Sequence, residues 1–202
     1  MLENPTTGSR KKGRPSEDER EDRKTAILDA AAQLFIRNGY GQTTVDQLAS
    51  AAQVTKRTIY SYFGDKSAVF AAVIERFRLD SVSGSPTKAD SLAETSARIV
   101  YALHSEHAVG LHRLMIAEAA HFPELAAAFY ASGPSGYMAS IAAMLPEPVS
   151  PSEAAWISEA VFGLLLGEQH RKRLLGLSAA PDMEAARRHA NETLRILGLS
   201  VP

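Results

Sequence analysis

An all-α fold of about nine helices is what this sequence predicts, and three observations carry the prediction. Apolar residues recur with helical spacing through most of the chain, and no period-two strand pattern emerges. Helix start and stop signals punctuate those segments at helical lengths. The stretch TTVDQLASAAQVTKRTIYSYFGDK, Thr43 to Lys66, reads as two short helices around a tight turn followed by the start of a third. That spacing is a helix-turn-helix, and it points to double-stranded DNA as a partner.

Taken in order, residues 1–21 form a polar, charged arm expected to be largely disordered. Within it Arg10-Lys11-Lys12-Gly13-Arg14-Pro15 resembles the Gly-Arg-Pro core of AT-hook segments. Such an arm could place Arg14 in a minor groove, or it could be a solubilising tail, since the acidic run Glu17 to Asp22 follows directly. Arg23 to Asn38 is the next expected helix, with Ile27, Leu28, Ala31, Leu34 and Phe35 on one face and Asn38-Gly39 as its stop.

The first helix of the 43–66 motif aligns Val45, Leu48, Ala49 and Ala52 in one stripe. Thr43 or Thr44 is its N-cap, and Asp46 or Gln47 completes a capping box. Thr55 can cap the second helix, with Val54 and Ile59 as a hydrophobic staple. Lys56 and Arg57 fall in its first turn, where cations oppose the helix dipole and call for an anionic partner such as phosphate. Gly64 closes this helix, Asp65 caps the next, and Lys66 stands at that next N-terminus. A helix from Asp65 to about Leu79 follows, whose wide stripe of Val69, Phe70, Val73, Ile74 and Phe77 must pack onto the second half.

A linker over 81–86 should break that helix. Beyond it, helices are expected at about 88–105, 108–120, 123–145, 151–175 and 182–197, with Pro134 kinking or interrupting the third. Ser150-Pro151-Ser152-Glu153 is a strong start signal. The domains expected are thus the arm at 1–21, a helix-turn-helix domain at 22–66 and a second helical domain at 67–202.

Composition narrows the function classes. The chain has 202 residues, 45% of them hydrophobic, and no Cys, which excludes a disulfide scaffold, a Cys-ligated zinc or a catalytic thiol. The net charge of −1 hides an asymmetry, +3 over residues 9–66 and −3 from Ser67 onward. A basic end joined to an acidic remainder suits a DNA-binding domain attached to something else. No apolar signal core or membrane-length run appears, so a cytoplasmic location is expected, with no membrane partner. No nucleophile elbow, phosphate-cradling glycine loop or zinc-protease motif is present, so no enzyme and no cofactor is expected. His104, His107 and His112 lack a carboxylate at ligand spacing, and no metal site is assigned to them.

The segment from about Arg23 to Phe77, ILDAAAQLFIRNGYGQTTVDQLASAAQVTKRTIYSYFGDKSAVFAAVI, resembles the N-terminal domain of the TetR family of bacterial transcriptional regulators. The resemblance implies that Thr44, Thr55, Lys56, Tyr60 and Lys66 hold the DNA backbone, while Arg57, Thr58, Ser61 and Tyr62 lie nearest the bases. Two positions depart from the family pattern. Gln53 stands where a turn glycine is usual, and a left-handed backbone there would cost roughly 1 kcal/mol. Tyr62 stands where His is frequent.

The segment LHRLMIAEAAHFPELAAAFYASGPSGYMASIAAML is similar to the C-terminal region of the AcrR-like and AefR-like branch of that family. The resemblance implies an effector cavity among the middle helices, for which His104, Met115, Phe122, Phe129, Tyr130, Tyr137, Met138 and Phe162 are candidate lining residues for a largely apolar small molecule. It also implies a homodimer built by the last two helices. Trp156, Ala160, Gly163, Leu164, Gly167 and Leu194 are the candidate interface residues, the two glycines allowing close helix approach. The function expected is a repressor released from a palindromic operator by a small molecule. Alternatives are a ligand-independent activator or architectural DNA-binding protein, and a helical enzyme or interaction module.

Overall fold

The computed structural model describes residues 17–83, 91–145 and 149–199. Among these residues there are ten helices and no strand: α1 (Glu17–Asn38), α2 (Val45–Ala51), α3 (Lys56–Phe63), α4 (Lys66–Val82), α5 (Leu92–Leu103), α6 (Glu106–Glu118), α7 (Pro123–Ser132), α8 (Pro134–Ala142), α9 (Pro151–Leu174) and α10 (Met183–Ile196). They are the nine expected, with the segment over 123–145 divided at Gly133–Pro134. None is long and apolar enough to cross a membrane. The Arg10–Pro15 cluster, Arg14 included, lies outside the described residues.

One boundary differs from expectation. The acidic run assigned to the arm is the first turns of α1. Glu17, Asp18 and Glu19 stand at its positive end, and Lys24 pairs with Glu21 one turn on at 2.6 Å. Sequence reading treated the run as a block of charge and missed that its sign suits a helix start.

Local chemistry sets the other ends. Thr44 accepts from Gln47 N while the Gln47 side chain accepts from Thr44 N, the complete capping box. Thr55, Asp65, Ser91, Ser105, Ser150 and Asp182 cap α3, α4, α5, α6, α9 and α10 by accepting from the backbone N–H three residues on, and Ser150 with Glu153 completes a second box.

At the end of α2, Val54 N donates to Ala49 O and Gln53 N to Ser50 O, the two bonds of a Schellman motif. That motif needs its middle residue left-handed, and Gln53 has φ 53°. The same pair of bonds ends α9 and α10, where glycines, Gly176 and Gly198, take the left-handed position.

Two apolar clusters form the interior. The first joins α1 to α4 with α6 and α7, burying Ile27, Phe35, Leu48, Ile59 and Phe70 together with Leu111, Met115 and Leu125. Full burial of Phe70 or Ile59 contributes roughly 2–3 kcal/mol each. The second joins α5, α8, α9 and α10 around Ile99, Ile141, Val161, Leu165 and Leu194. Packing therefore does not divide after residue 66: the helix-turn-helix shares its core with the middle helices.

Leu194 was expected at a dimer interface, but it is 2% exposed and belongs to this second cluster. The apolar stripe of α10, with Ala186, Ala190 and Leu194, is spent on the same cluster as Ile99 and Val100 of α5. Gly167 also differs from expectation. Its backbone leaves the helical region (φ 54°, ψ −158°) and kinks α9, while His189 on α10 donates from Nε2 to the carbonyls of Leu164 and Leu165, 3.1 Å each. The glycine supplies a bend rather than a flat contact surface.

Because Gln53 carries a Cβ in a left-handed position, Gln53→Gly is expected to raise unfolding stability by up to about 1 kcal/mol, and Gln53→Val to lower it by at least as much. Thermal denaturation of both variants checks this; a glycine variant no more stable than the valine variant would contradict the strain.

Candidate nucleic-acid interface and ligand cavity

The face of α3 away from the core is short and polar. Ile59 is fully buried and fixes the helix's inner side, so Arg57, Tyr60 and Ser61, at helical spacing, lie outside and exposed, with Lys56 beside them. Tyr60 is 51% exposed, a large aromatic left in solvent. Thr44 and Thr55 are also exposed, at the two N-caps, while their side chains are engaged with Gln47 and with Thr58.

Thr58, Tyr62 and Lys56 are partnered as well. Thr58 bonds through its hydroxyl to Thr55 Oγ1 at 2.9 Å and is half-buried. Tyr62 packs on the first core cluster and edge-on to Phe63, with the Arg20 guanidinium 5.8 Å from its ring centre. Lys56, which by its place at a helix N-terminus needs an anion, has one: Asp46 at 2.6 Å.

Of the cations assigned to DNA from the sequence, Lys66 is the most constrained. Its ammonium donates to Tyr40 O at 2.8 Å and Thr43 O at 2.9 Å and lies 4.1 Å from the Tyr40 ring centre. Burial pulls its pKa down and nearby Glu118 partly offsets that. Two of its three N–H donors are used inside the protein, leaving one for an outside anion.

Beneath this surface, the turn between α1 and α2 is tied to the middle helices. Glu118, the last residue of α6, accepts from Gly41 N at 3.3 Å, and Phe122 meets the Tyr40 ring edge-on at 5.1 Å. Tyr40 also contacts Phe35 and Phe70. On the other side Arg76 of α4 donates to Thr25 O at 3.0 Å and pairs with Asp29, both on α1.

Further along, α4 to α9 together line a partly open cavity of about 60 Å³. Of the candidate lining residues, Phe129, Tyr137 and Phe162 reach it, and the last two stack at 5.8 Å. The others do not. Met115 is part of the first core cluster, Phe122 packs on Tyr40, and Met138 packs on the second cluster. His104 is buried and donates from Nδ1 to Val100 O, bordering a separate cleft beside Arg173 and His189. Tyr130 is 58% exposed, because it follows Phe129 by about 100° around the same helix.

The sequence reading missed Ile74, Phe77, Leu111, His112 and His170 as cavity residues. His112 Nδ1 and His170 Nε2 lie 3.0 Å apart. His170 sits in the polar run Glu168 to Arg173, which reads as surface; an unbroken helix from Leu165 would turn residues 168 and 169 inward, and the kink at Gly167 resets the phase so that His170 is buried instead. Burial first, then the nearby His112, His104 and Arg173, push its pKa down to about 4. Burial also lowers His112 and His104. Among the described residues no group of three metal-binding side chains gathers.

Of the candidate interface residues, Trp156, Ala160, Gly163 and Leu164 form one exposed stripe on α9. Trp156 is 74% exposed, and open space surrounds the place of a Gly163 Cβ.

A three-helix motif with an outward basic helix, continuous with a helical body that lines a cavity, defines the class of helix-turn-helix regulators. The sequence profile of bacterial regulatory proteins of the tetR family matches residues 27–73, and that of the C-terminal domain of AefR-like transcriptional repressors matches residues 90–197, more than half of the chain. The chain belongs to the TetR family. It is 33% identical over 85 residues to the transcriptional repressor SCO4008 of Streptomyces coelicolor, 41% of this chain and 44% of that one. It is 34% identical over 80 residues to the transcriptional activator FasR of Mycolicibacterium smegmatis, 40% of this chain and 35% of that one. These matches span less than half the length of either curated relative. The structure of the flavonoid-responsive regulator FrrA superposes with a TM-score of 0.63 at 26% identity, covering 87% of this chain and 95% of that one.

His170 gives the fold a pH dependence. Above pH 6.5 it is neutral folded or unfolded and contributes nothing; between 6.5 and about 4 the unfolded chain binds a proton that the folded one refuses, so stability falls as pH falls. The loss attributable to it by pH 5 is roughly 2 kcal/mol. Melting temperatures at about pH 7.5 and about pH 5 should differ, and His170→Phe should narrow that gap; an unchanged gap would remove the histidine from the account.

Proposed function

We propose that this chain is a cytoplasmic, homodimeric transcriptional repressor that occupies an approximately palindromic DNA operator and leaves it when a largely apolar small molecule enters the cavity. One observation carries the reading: α4 serves both sites. Its first residue, Lys66, grips the turn before α2, while Ile74 and Phe77, roughly 12 and 16 Å further along the helix, are walls of the cavity. A cavity of about 60 Å³ is far below the roughly 300–1,000 Å³ of small-molecule sites. A ligand must therefore push its walls apart. Two of those walls, α4 and α6, are the helices that hold the Tyr40 turn.

The exposed stripe on α9 supports a two-fold dimer, with Trp156, Ala160, Gly163 and Leu164 facing their own counterparts. Pairing would set two copies of α3 about 34–36 Å apart, one turn of duplex. FrrA's responsiveness to flavonoids supports a small-molecule signal. The repressor SCO4008 and the AefR-like repressor profile favour repression over the activation that FasR exemplifies.

On DNA, Thr44, Thr55, Lys56, Tyr60 and Lys66 take the backbone, and Arg57 with Ser61 the base edges. Thr58 and Tyr62, half-buried, back them rather than lead. On a duplex enriched from a random pool, Lys56→Ala should weaken binding to that site and to random DNA alike, and reduce the slope of log affinity against log salt by about one. Arg57→Ala should cost about 1–3 kcal/mol on the enriched site and relax preference at one position. Identical profiles for the two variants would sink the division, and background binding by both the wild type and the variants would sink the function.

A further inference from the structure

The cavity has a polar corner, and its walls are otherwise apolar apart from the buried Tyr137 hydroxyl. The bonded pair His112 and His170 lines it beside Phe77, Phe129, Tyr137 and Phe162. His170 is 5% exposed, and its Nδ1 is buried with no hydrogen-bond partner. A buried polar atom left so costs roughly 1–3 kcal/mol, and a ligand that meets it recovers that cost.

One proton lies between the two rings, and it can run either way. If His170 Nε2–H donates to His112 Nδ1, then His170 Nδ1 is a bare acceptor and His112 Nε2 carries a proton. If His112 Nδ1–H donates instead, the roles exchange. Either way the two outer nitrogens of the neutral pair present one donor and one acceptor. A hydroxyl is itself one donor and one acceptor, so it matches the pair in both arrangements. No Asp, Glu, Lys or Arg is among the described residues lining the cavity. An ionised ligand group would be buried there without a counter-charge. The stacked Tyr137 and Phe162 rings, tilted by 18°, and the Phe129 ring beside His112 suit a flat apolar body.

We propose that His112 and His170 are the specificity-determining pair of this cavity, and that its ligand is an uncharged, mostly aromatic molecule anchored through one hydroxyl group. This rests on the effector reading above.

The test titrates the full chain and His170→Phe with 2-naphthol, its isostere 2-methylnaphthalene, and 2-naphthoate, by calorimetry. 2-Naphthol should bind the wild type at least about tenfold tighter than 2-methylnaphthalene, and the ratio should fall to near one in the variant. His112→Leu serves the same comparison should His170→Phe not fold. Equal affinities in the wild type, a ratio that survives both substitutions, tighter binding of 2-naphthoate, or binding of none of the three overturns the proposal. Operator affinity measured with 2-naphthol bound separates the two readings. A histidine-dependent preference with unchanged operator affinity upholds the anchor and defeats ligand release. Release by 2-naphthol and 2-methylnaphthalene alike does the reverse.

Discussion

The rest of the structure depends on the seat of one ammonium group. Lys66 closes on the carbonyls of Tyr40 and Thr43 and rests on the Tyr40 ring. These three contacts join the start of α4 to the turn that launches α2, and so fix where α2 and α3 stand. The Tyr40 ring beneath it is wedged among Phe35, Phe70 and Phe122, one from α1, one from α4 and one from the residue before α7. A cation over an aromatic face with two charge-assisted hydrogen bonds is among the stronger polar arrangements available to a half-buried lysine.

Under the proposed ligand response, rigidity at that point is what would make a distant cavity consequential. The helix-turn-helix shares one core with α6 and α7, so it cannot rock on a flexible hinge independently of them. A displacement of α4 or α6 is instead passed on through Lys66, through Glu118 on Gly41 N, and through Phe122 on Tyr40. Packed interiors of this kind switch between arrangements rather than deform smoothly. A ligand can shift the balance only by its difference in affinity for the two arrangements, about 1.4 kcal/mol for each tenfold change in operator binding. Under the ligand response proposed above, relief of the unpartnered His170 nitrogen would be of that order, and the polar corner would serve coupling as well as specificity to the extent that it is met in only one of the two arrangements.

What could be read from the sequence follows from the range of the interactions involved. Caps and turns are decided by residues three to six apart, so Thr44 with Gln47, Ser150 with Glu153, the break at Gly133–Pro134 and the strained Gln53 were legible. So was the inward face of α3, set by Ile59. The meeting of His112 with His170, 58 residues apart, was not, because helical periodicity says which residues point inward and not which helices they meet. Leu194 failed for the same reason: an apolar stripe on α10 is equally suited to α5 and to another chain. The bend at Gly167 looked like a packing glycine because four-residue glycine spacing serves both purposes. Tyr130 failed on a finer point, one residue of helical phase.

The ion pair between Lys56 and Asp46 bears on how tightly such a surface can hold DNA. In the free protein Asp46 supplies the anion that a cation at a helix N-terminus requires, so the first turn of α3 is settled before any phosphate arrives. A phosphate must then share Lys56 with that carboxylate or displace it, and the gain is the difference between two anionic partners rather than the whole of one. Lys66 likewise has a single donor to spare. The outward charge that remains uncommitted is concentrated on Arg57, one residue per recognition helix. Affinity from one copy is correspondingly limited, and doubling the contacts through a two-fold dimer is the physical route to a high-affinity site. On the dimer proposed above, the exposed Trp156 stripe and the half-neutralised α3 would answer one requirement.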